Sequence, residues 1–250
     1  MTMLPLRLRL AHLADRAEAH GRRLAEKAGW PQAWLHEFQI YLAQPRMTPE
    51  EFWVRYTLKR MAAEPRLARP LTEPEALDFY QTCDYMLWRN LVHRRHSAWR
   101  RVLVTMGHRT GTFLEFGCGT APVAAWVSRR RPEWVYDLVD LPSPHFQYGL
   151  WRVSRHAMTI GGATLAPDAQ YDVITALDVF EHLADPLAQA ERLVAQVRPG
   201  GYLHHNFVGN PLRNDLDLAT PEHRDATLAY LADTLALVWE TDGYRVSRRR

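Results

Sequence analysis

Cysteine is scarce in this 250-residue chain, at Cys83 and Cys118 only. Two such distant residues make no CxxC pair, so neither a disulfide framework nor a cysteine-based metal site is expected. Lysine is nearly missing too, at Lys27 and Lys59 alone, and arginine carries almost all the positive charge. The net charge is only +3, at a sequence pI of about 9.0. Arginine clusters (Arg94-Arg95, Arg100-Arg101, Arg129-Arg130-Arg131 and Arg248-Arg249-Arg250) are scattered along the chain. They read as solvated surface rather than one phosphate-binding footprint, so no nucleic-acid partner is expected. No run approaches the roughly 18 uninterrupted apolar residues of a membrane span. Leu6, Arg7, Leu8, Arg9 and Leu10 alternate without an apolar signal core, which predicts a cytoplasmic protein. The 47% apolar and 24% charged content suits an ordinary globular core.

Glycine is sparse before residue 108, and that stretch reads as helix. Leu10, Leu13, Ala17 and Leu24 fall at helical spacing. Gly29 is expected to end that helix, and Trp30-Pro31 to open the next, with Trp34, Leu35, Phe38, Ile40 and Leu42. Thr48-Pro49-Glu50-Glu51 and Thr72-Glu73-Pro74-Glu75 are both capping boxes with an early proline.

After Gly111 short apolar runs alternate with amphipathic helices, the pattern of βα units. Strands are predicted at Thr112–Phe116, Val135–Asp140, Tyr171–Leu177 and Gly201–Phe207, with a weaker one near Met158–Thr164. Helices are predicted at Pro122–Arg131, Pro144–Arg155, Pro186–Val197 and Pro221–Thr234. Leu235–Trp239 and Tyr244–Ser247 flank Asp242-Gly243 as a hairpin. The expectation is an α/β protein. A Rossmann-like, mostly parallel seven-stranded sheet over residues 108–250 carries helices on both faces, preceded by an all-helical cap over residues 1–107.

The sharpest motif is Phe113-Leu114-Glu115-Phe116-Gly117-Cys118-Gly119-Thr120-Ala121-Pro122. An apolar strand runs into a turn with two glycines, which leave no side chain between backbone and ligand. The helix that follows is expected to offer free N–H groups to an anion. Dinucleotide binders carry a third glycine in GxGxxG, where this chain has Pro122. The acid-then-GxGx-small pattern is met instead by Glu115, Gly117, Gly119 and Ala121. Asp140 closes the second strand, where an acid can accept both hydroxyls of a ribose.

On these motifs the chain resembles the class I S-adenosylmethionine-dependent methyltransferases, particularly the group with ubiquinone-biosynthesis O-methyltransferases. The resemblance covers roughly residues 111 to 208. It extends through Tyr171-Asp172-Val173-Ile174, the stretch Asp178-Val179-Phe180-Glu181-His182-Leu183-Ala184-Asp185-Pro186, and Arg198-Pro199-Gly200-Gly201-Tyr202-Leu203. It implies S-adenosyl-L-methionine as cofactor, S-adenosyl-L-homocysteine as product, and a small-molecule acceptor in a biosynthetic pathway, methylated at oxygen or nitrogen by preference, with carbon the remaining alternative. It further implies that Phe116, Gly117, Cys118 and Gly119 lie under the methionine part and that Glu115 helps hold the amino group. Asp140 would bind the ribose, Leu141 would lie against adenine, and Leu177 with Asp178 would line the floor near the sulfonium. One departure stands out: the family's acid after the third strand is replaced by Gly161-Gly162-Ala163-Thr164, with Asp168 the nearest acid. Adenine recognition is then expected to rest on backbone groups, unless the third strand lies elsewhere.

Methyl transfer is chiefly a matter of positioning, with a base required only for a protonated acceptor. Histidine suits that role, and the candidates are His205, His204 and His182. Side chains alternate along a strand, so only one of His204 and His205 can readily face a pocket. Metal is not expected, because Glu181, His182, His204 and His205 match no ligand spacing. Phe79, Tyr80, Tyr85, Trp88 and Trp99 either stack on an acceptor or form the seam between cap and sheet. Gly209–Thr220 is a candidate lid. A methyltransferase acting on protein or RNA, or a silent binding subunit, are the competing readings, and a homo-oligomer is compatible with all of them.

Overall fold

A computed structural model describes residues 3–27, 33–44, 46–92, 98–107, 109–209, 216–241 and 243–250. The expected break at Gly29 to Pro31, the Arg94-Arg95 pair, Asp242 and residues 210–215 of the Gly209–Thr220 segment lie outside the described residues. Helices α1 (Leu4–Lys27), α2 (Ala33–Tyr41), α3 (Pro49–Ala63), α4 (Glu73–Thr82), α5 (Tyr85–Val92) and α6 (Trp99–Met106) precede the sheet. Both capping boxes form. Thr48 Oγ1 accepts the Glu51 N–H at 3.2 Å while Glu51 accepts the Thr48 N–H at 2.8 Å. Glu75 likewise accepts the Thr72 N–H at 2.9 Å.

The sheet is built from β1 (Thr112–Phe116), β2 (Val135–Val139), β3 (Thr159–Gly162), β4 (Tyr171–Ala176), β5 (Val197–His205), β6 (Leu235–Thr241) and β7 (Tyr244–Arg249). Its seven strands run in the order β3-β2-β1-β4-β5-β7-β6, with β7 antiparallel to both neighbours and the other pairings parallel. Helices α7 (Pro122–Val127), α8 (Pro144–Ser154), α9 (Pro186–Gln196) and α10 (Pro221–Thr234) connect the strands. The chain leaves β1 in one direction through β2 and β3, then returns to β1's other side at β4. That reversal is where open α/β sheets open a crevice beyond the carboxyl ends of their strands.

Strand alternation sorts the core. Phe113 and Val173 face one layer with Val102, Met106, Val127 and Val246; Leu114, Ile174 and Leu203 face the other with Leu193 and Leu231. Helices α1 and α6 therefore pack on the sheet, although they lie in the stretch predicted as a cap. Helices α2 to α5 close a third core around Phe38, Phe52, Phe79 and Trp88, joined by Tyr148 of α8. Tyr148 meets Phe38 edge-on at 5.6 Å, which makes α8 the seam.

Two boundaries lie about four residues from expectation. Helix α7 stops at Val127 because the N–H groups of Arg130 and Arg131 both turn back to the Val127 carbonyl at 2.9 Å. Strand β5 begins at Val197 rather than Gly201: the Pro-Gly-Gly run stays in the strand as an irregularity in its register with β4. A buried latch ties α1 to the sheet. Asp15 pairs with Arg100 at 3.1 Å and Arg101 at 3.4 Å, and Arg101 lies 3.9 Å over the Tyr244 ring. Burial pushes the Asp15 carboxyl up to about 6, against the pull of both arginines.

Candidate active site

The turn after β1 is pinned from both sides. The N–H groups of Gly117 and Cys118 donate to the Val139 carbonyl at 2.8 and 3.2 Å, locking the turn to the end of β2. Gly117, Gly119 and Ala121 all have positive φ, at 63°, 52° and 48°. A side chain on Gly117 would collide with Val179, so only glycine fits there. Phe116 packs toward the α9 side and Cys118 is buried on the other, its thiol pushed well up by desolvation. Buried Glu115 accepts the N–H groups of Val123 at 3.3 Å and Ala124 at 2.6 Å. The donors expected to be free at the start of α7 are thus taken by the chain's own carboxylate.

Asp140 sits at the end of β2 and folds onto the same turn. Its Oδ2 accepts the Gly119 N–H at 2.5 Å and its Oδ1 accepts the Leu141 N–H at 2.7 Å. Burial raises its pKa, opposed by His145 and by these two N–H groups. Three residues that belong to no sequence motif complete this corner. Gly149 lets α8 approach: a Cβ there would lie 2.8 Å from the Gly119 carbonyl oxygen. Asn90 of α5 brings Nδ2 to 3.3 Å from where a Gly119 Cβ would stand, and the His145 ring lies at 3.8 Å. His145 is buried with Nδ1 lacking a hydrogen-bond partner among the described residues, and desolvation lowers its pKa against the Asp140 charge. Buried polar atoms are rarely left unpaired, so this nitrogen marks the corner. Strand β3 lies where it was expected, and the Gly162 carbonyl accepts the Asp140 N–H at 3.3 Å, with Asp168 exposed.

The end of β4 supplies the second wall. Leu177 is buried, and Asp178 follows at φ 50°, a conformation unusual for a non-glycine residue. Asp178 and Asn206 clasp each other: the Asp178 N–H donates to Asn206 Oδ1 at 2.8 Å, and the Asn206 amide donates back to the Asp178 carboxylate. A 3-10 turn, Phe180–His182, then carries Glu181 and His182. The Glu181 carbonyl accepts the N–H groups of Leu218 at 2.9 Å and Ala219 at 3.0 Å, which brings Asp217 beside His182.

His182 is the most informative ring. Its Nδ1 lies 3.1 Å from the Leu216 carbonyl and 3.3 Å from Asp217 Oδ1. A carbonyl only accepts, so Nδ1 carries hydrogen and the neutral ring's lone pair falls on Nε2. Desolvation lowers the His182 pKa, but Asp217, Glu181 and the Leu216 carbonyl outweigh it and the net shift is upward. Tyr80 of α4 faces this ring at 5.6 Å between centroids. Burial raises the Tyr80 phenol, with Glu181, Asp217 and Asp140 adding to the rise and Arg89 opposing it.

The other two histidines lie on opposite faces of β5. His204 is buried between Thr105 and Tyr244. Thr105 spends its hydroxyl hydrogen on the Val102 carbonyl, so its oxygen accepts from His204 Nε2 at 2.8 Å, and Tyr244 donates to Nδ1 at 2.7 Å. His205 is buried edge-on to Phe180 at 6.3 Å, and neither of its nitrogens has a hydrogen-bond partner among the described residues. Desolvation pushes both rings down to about 3. The aromatic group splits as well. Phe79, Tyr85 and Trp88 fill the core of the helical region, Trp99 stacks on Trp126 at 5.4 Å, and Tyr80 alone of the five is placed against the strand-end carboxylates.

A glycine turn, an acid closing the next strand and an acid-rich loop after the fourth, set on a 3-2-1-4-5-7-6 sheet, define the class I methyltransferase fold. A family model described as a methyltransferase domain matches residues 91–246, and the chain belongs to that family. No curated protein matches the chain. Among solved structures, an O-methyltransferase family protein from Burkholderia thailandensis is 15% identical, with 80% of this chain and 71% of that one covered at a TM-score of 0.52. An O-methyltransferase assignment also accompanies a protein from Nostoc punctiforme PCC 73102, 13% identical over 91% and 87% of the two chains at 0.52. The CurJ carbon methyltransferase is 13% identical over 80% and 69% at 0.53. These likenesses concern the fold.

Proposed function

We propose that the chain transfers a methyl group from S-adenosyl-L-methionine to an oxygen or nitrogen of a small-molecule acceptor, bound between α4 and the ends of β1 and β4. The observation that carries this reading is the convergence of Tyr80, from the helical region, on His182, beside Glu181, Asp217 and Asp140. The residues present fit the cofactor. Gly117 and Gly119 offer bare backbone, Asp140 has lone pairs beyond those used by Gly119 and Leu141, and His145 keeps a buried nitrogen unpaired.

In this reading Asp140 accepts the ribose hydroxyls and Leu141 lies against the adenine, whose edge meets backbone beyond β3. Leu177 and Asp178 line the methionine end. When bound, the cofactor supplies an electrophilic methyl carbon that needs no covalent help from the protein. His182 receives the acceptor's proton at Nε2, held in that tautomer by Leu216 and Asp217. Its raised pKa makes it a stronger base than either buried β5 histidine. Tyr80 orients the acceptor and, with Leu177, keeps water from the reacting atoms.

Incubation with cofactor labelled in its methyl group, together with fractionated extract, tests the proposal. Label should move into low-mass organic material. Transfer only to protein or RNA, or no transfer despite tight S-adenosylhomocysteine binding, would overturn it.

A further inference from the structure

Helix α1 has two apolar faces, and the sheet uses one. Leu8, Ala11 and Asp15 are buried against the rest of the molecule. On the opposite side Met3, Leu6, Leu10 and Leu13 are 62%, 48%, 58% and 56% exposed. Steps of three and four residues place these four in one stripe, roughly half a turn from Leu8. Ala14 and Ala17, also exposed, continue it.

The charges of this helix are sorted by sign. Asp15 turns inward to Arg100 and Arg101, and Glu18 to Arg100 at 2.5 Å. Exposed Arg7, Arg9 and Arg16 border the stripe, Arg9 and Arg16 along one edge and Arg7 along the other. From Met3 to Glu18 the outward face thus presents leucine and methionine between arginines, and no acid. An identical face laid against it would set arginine rows beside arginine rows, which argues against self-pairing. A sheet of lipid phosphates over hydrocarbon matches both features: anions for the edges and an apolar layer for the stripe. No described helix is long and apolar enough to cross a membrane, so the contact lies along the surface.

We propose that α1 docks this protein on an anionic lipid surface, with Met3, Leu6, Leu10 and Leu13 entering the headgroup layer and Arg7 and Arg9 meeting phosphates. The docking residues are separate from the strand-end crevice, so the inference stands independently of the acceptor's identity.

Flotation of the whole protein with vesicles tests it. Wild type should float with mixed phosphatidylcholine and phosphatidylglycerol vesicles, and far less with phosphatidylcholine alone. Leu10→Glu with Leu13→Glu should reduce binding at least about tenfold. Arg7→Gln with Arg9→Gln should reduce it about 25-fold on anionic vesicles, roughly fivefold per arginine, and this second variant leaves the apolar stripe intact. Affinity for S-adenosylhomocysteine should be unchanged in both. Failure of the wild type to float, equal flotation of either variant, or a wild-type dimer that the leucine variant splits in light scattering would each overturn the proposal.

Discussion

His182 and Asp217 meet at 3.3 Å where the segment after residue 215 returns to the loop beyond β4. Together with Glu181 and the Leu216 carbonyl, this carboxylate favours the protonated form enough to offset burial, which no group does for His205. The basicity of this ring is consequently tuned by a residue far from it in sequence.

Asp217→Asn should lower the His182 pKa. The wild-type ring titrates above the ordinary value of 6.5, and loss of the neighbouring charge leaves desolvation less opposed. Histidine NMR across pH 5 to 8 reads this without any acceptor. An unmoved or raised midpoint contradicts the pairing. Once an acceptor is known, the acid limb of kcat/KM should move to lower pH in the same variant.

Asp140→Ala should cost at least about tenfold in S-adenosylhomocysteine affinity by calorimetry, the order expected for losing charge-assisted hydrogen bonds. The same change orphans the Gly119 N–H, so thermal stability should also fall, by about 1 to 2 kcal/mol. Asp140→Asn should recover little affinity, because its amide nitrogen cannot accept. Unchanged affinity in both variants would move the ribose elsewhere.

Gly149→Ala tests the corner from the opposite side. Its methyl would press on the Gly119 carbonyl at 2.8 Å and on the backbone of Thr120 and Ala121 at 3.1 Å. Overpacking of this kind costs about 1 to 3 kcal/mol. Denaturant unfolding should show that loss, with weaker cofactor binding alongside it. A silent substitution would mean that α8 can slide without disturbing the turn.

His205→Leu should separate structure from chemistry. The folded ring titrates near 3, far below its ordinary 6.5, so its neutral form contributes stability fully above pH 6.5. That contribution is lost as pH falls toward 3, at about 1.4 kcal/mol per pH unit. The leucine variant lacks this dependence, and it removes two unpaired buried nitrogens. It should match or exceed wild-type stability at pH 7 and pull ahead steadily between pH 6 and 4. A parallel pH profile for the two proteins would show that the ring is solvated.

Much of this architecture is visible in the residues. The β1 turn, the Asp140 strand end, the start of each sheet helix and the Pro221–Thr234 helix follow from apolar runs, glycines and proline-led caps. Those signals are local, and local geometry alone produces them. The split of the helical region was not legible. Leu8 and Phe38 are both apolar residues on helices, and only tertiary contact sends one to the sheet and the other to a separate core. Asn90, His145, Gly149 and Asp217 escaped notice for the same reason: each approaches the crevice from a distant element and belongs to no short motif. The histidine pair at the end of β5 was conspicuous by composition, yet burial and hydrogen bonding decide what a histidine does.

The carboxylate of Glu115, seated on the first turn of α7, has one more implication. In nucleotide cradles that first turn draws a phosphate, whereas here the chain has installed its own permanent counter-ion. A diphosphate bridge approaching this loop would confront negative charge rather than open donors. Under the proposed function, a glycine spacing close to that of nicotinamide dinucleotide cradles thus carries an acid where free donors would stand, which favours a cofactor without a diphosphate.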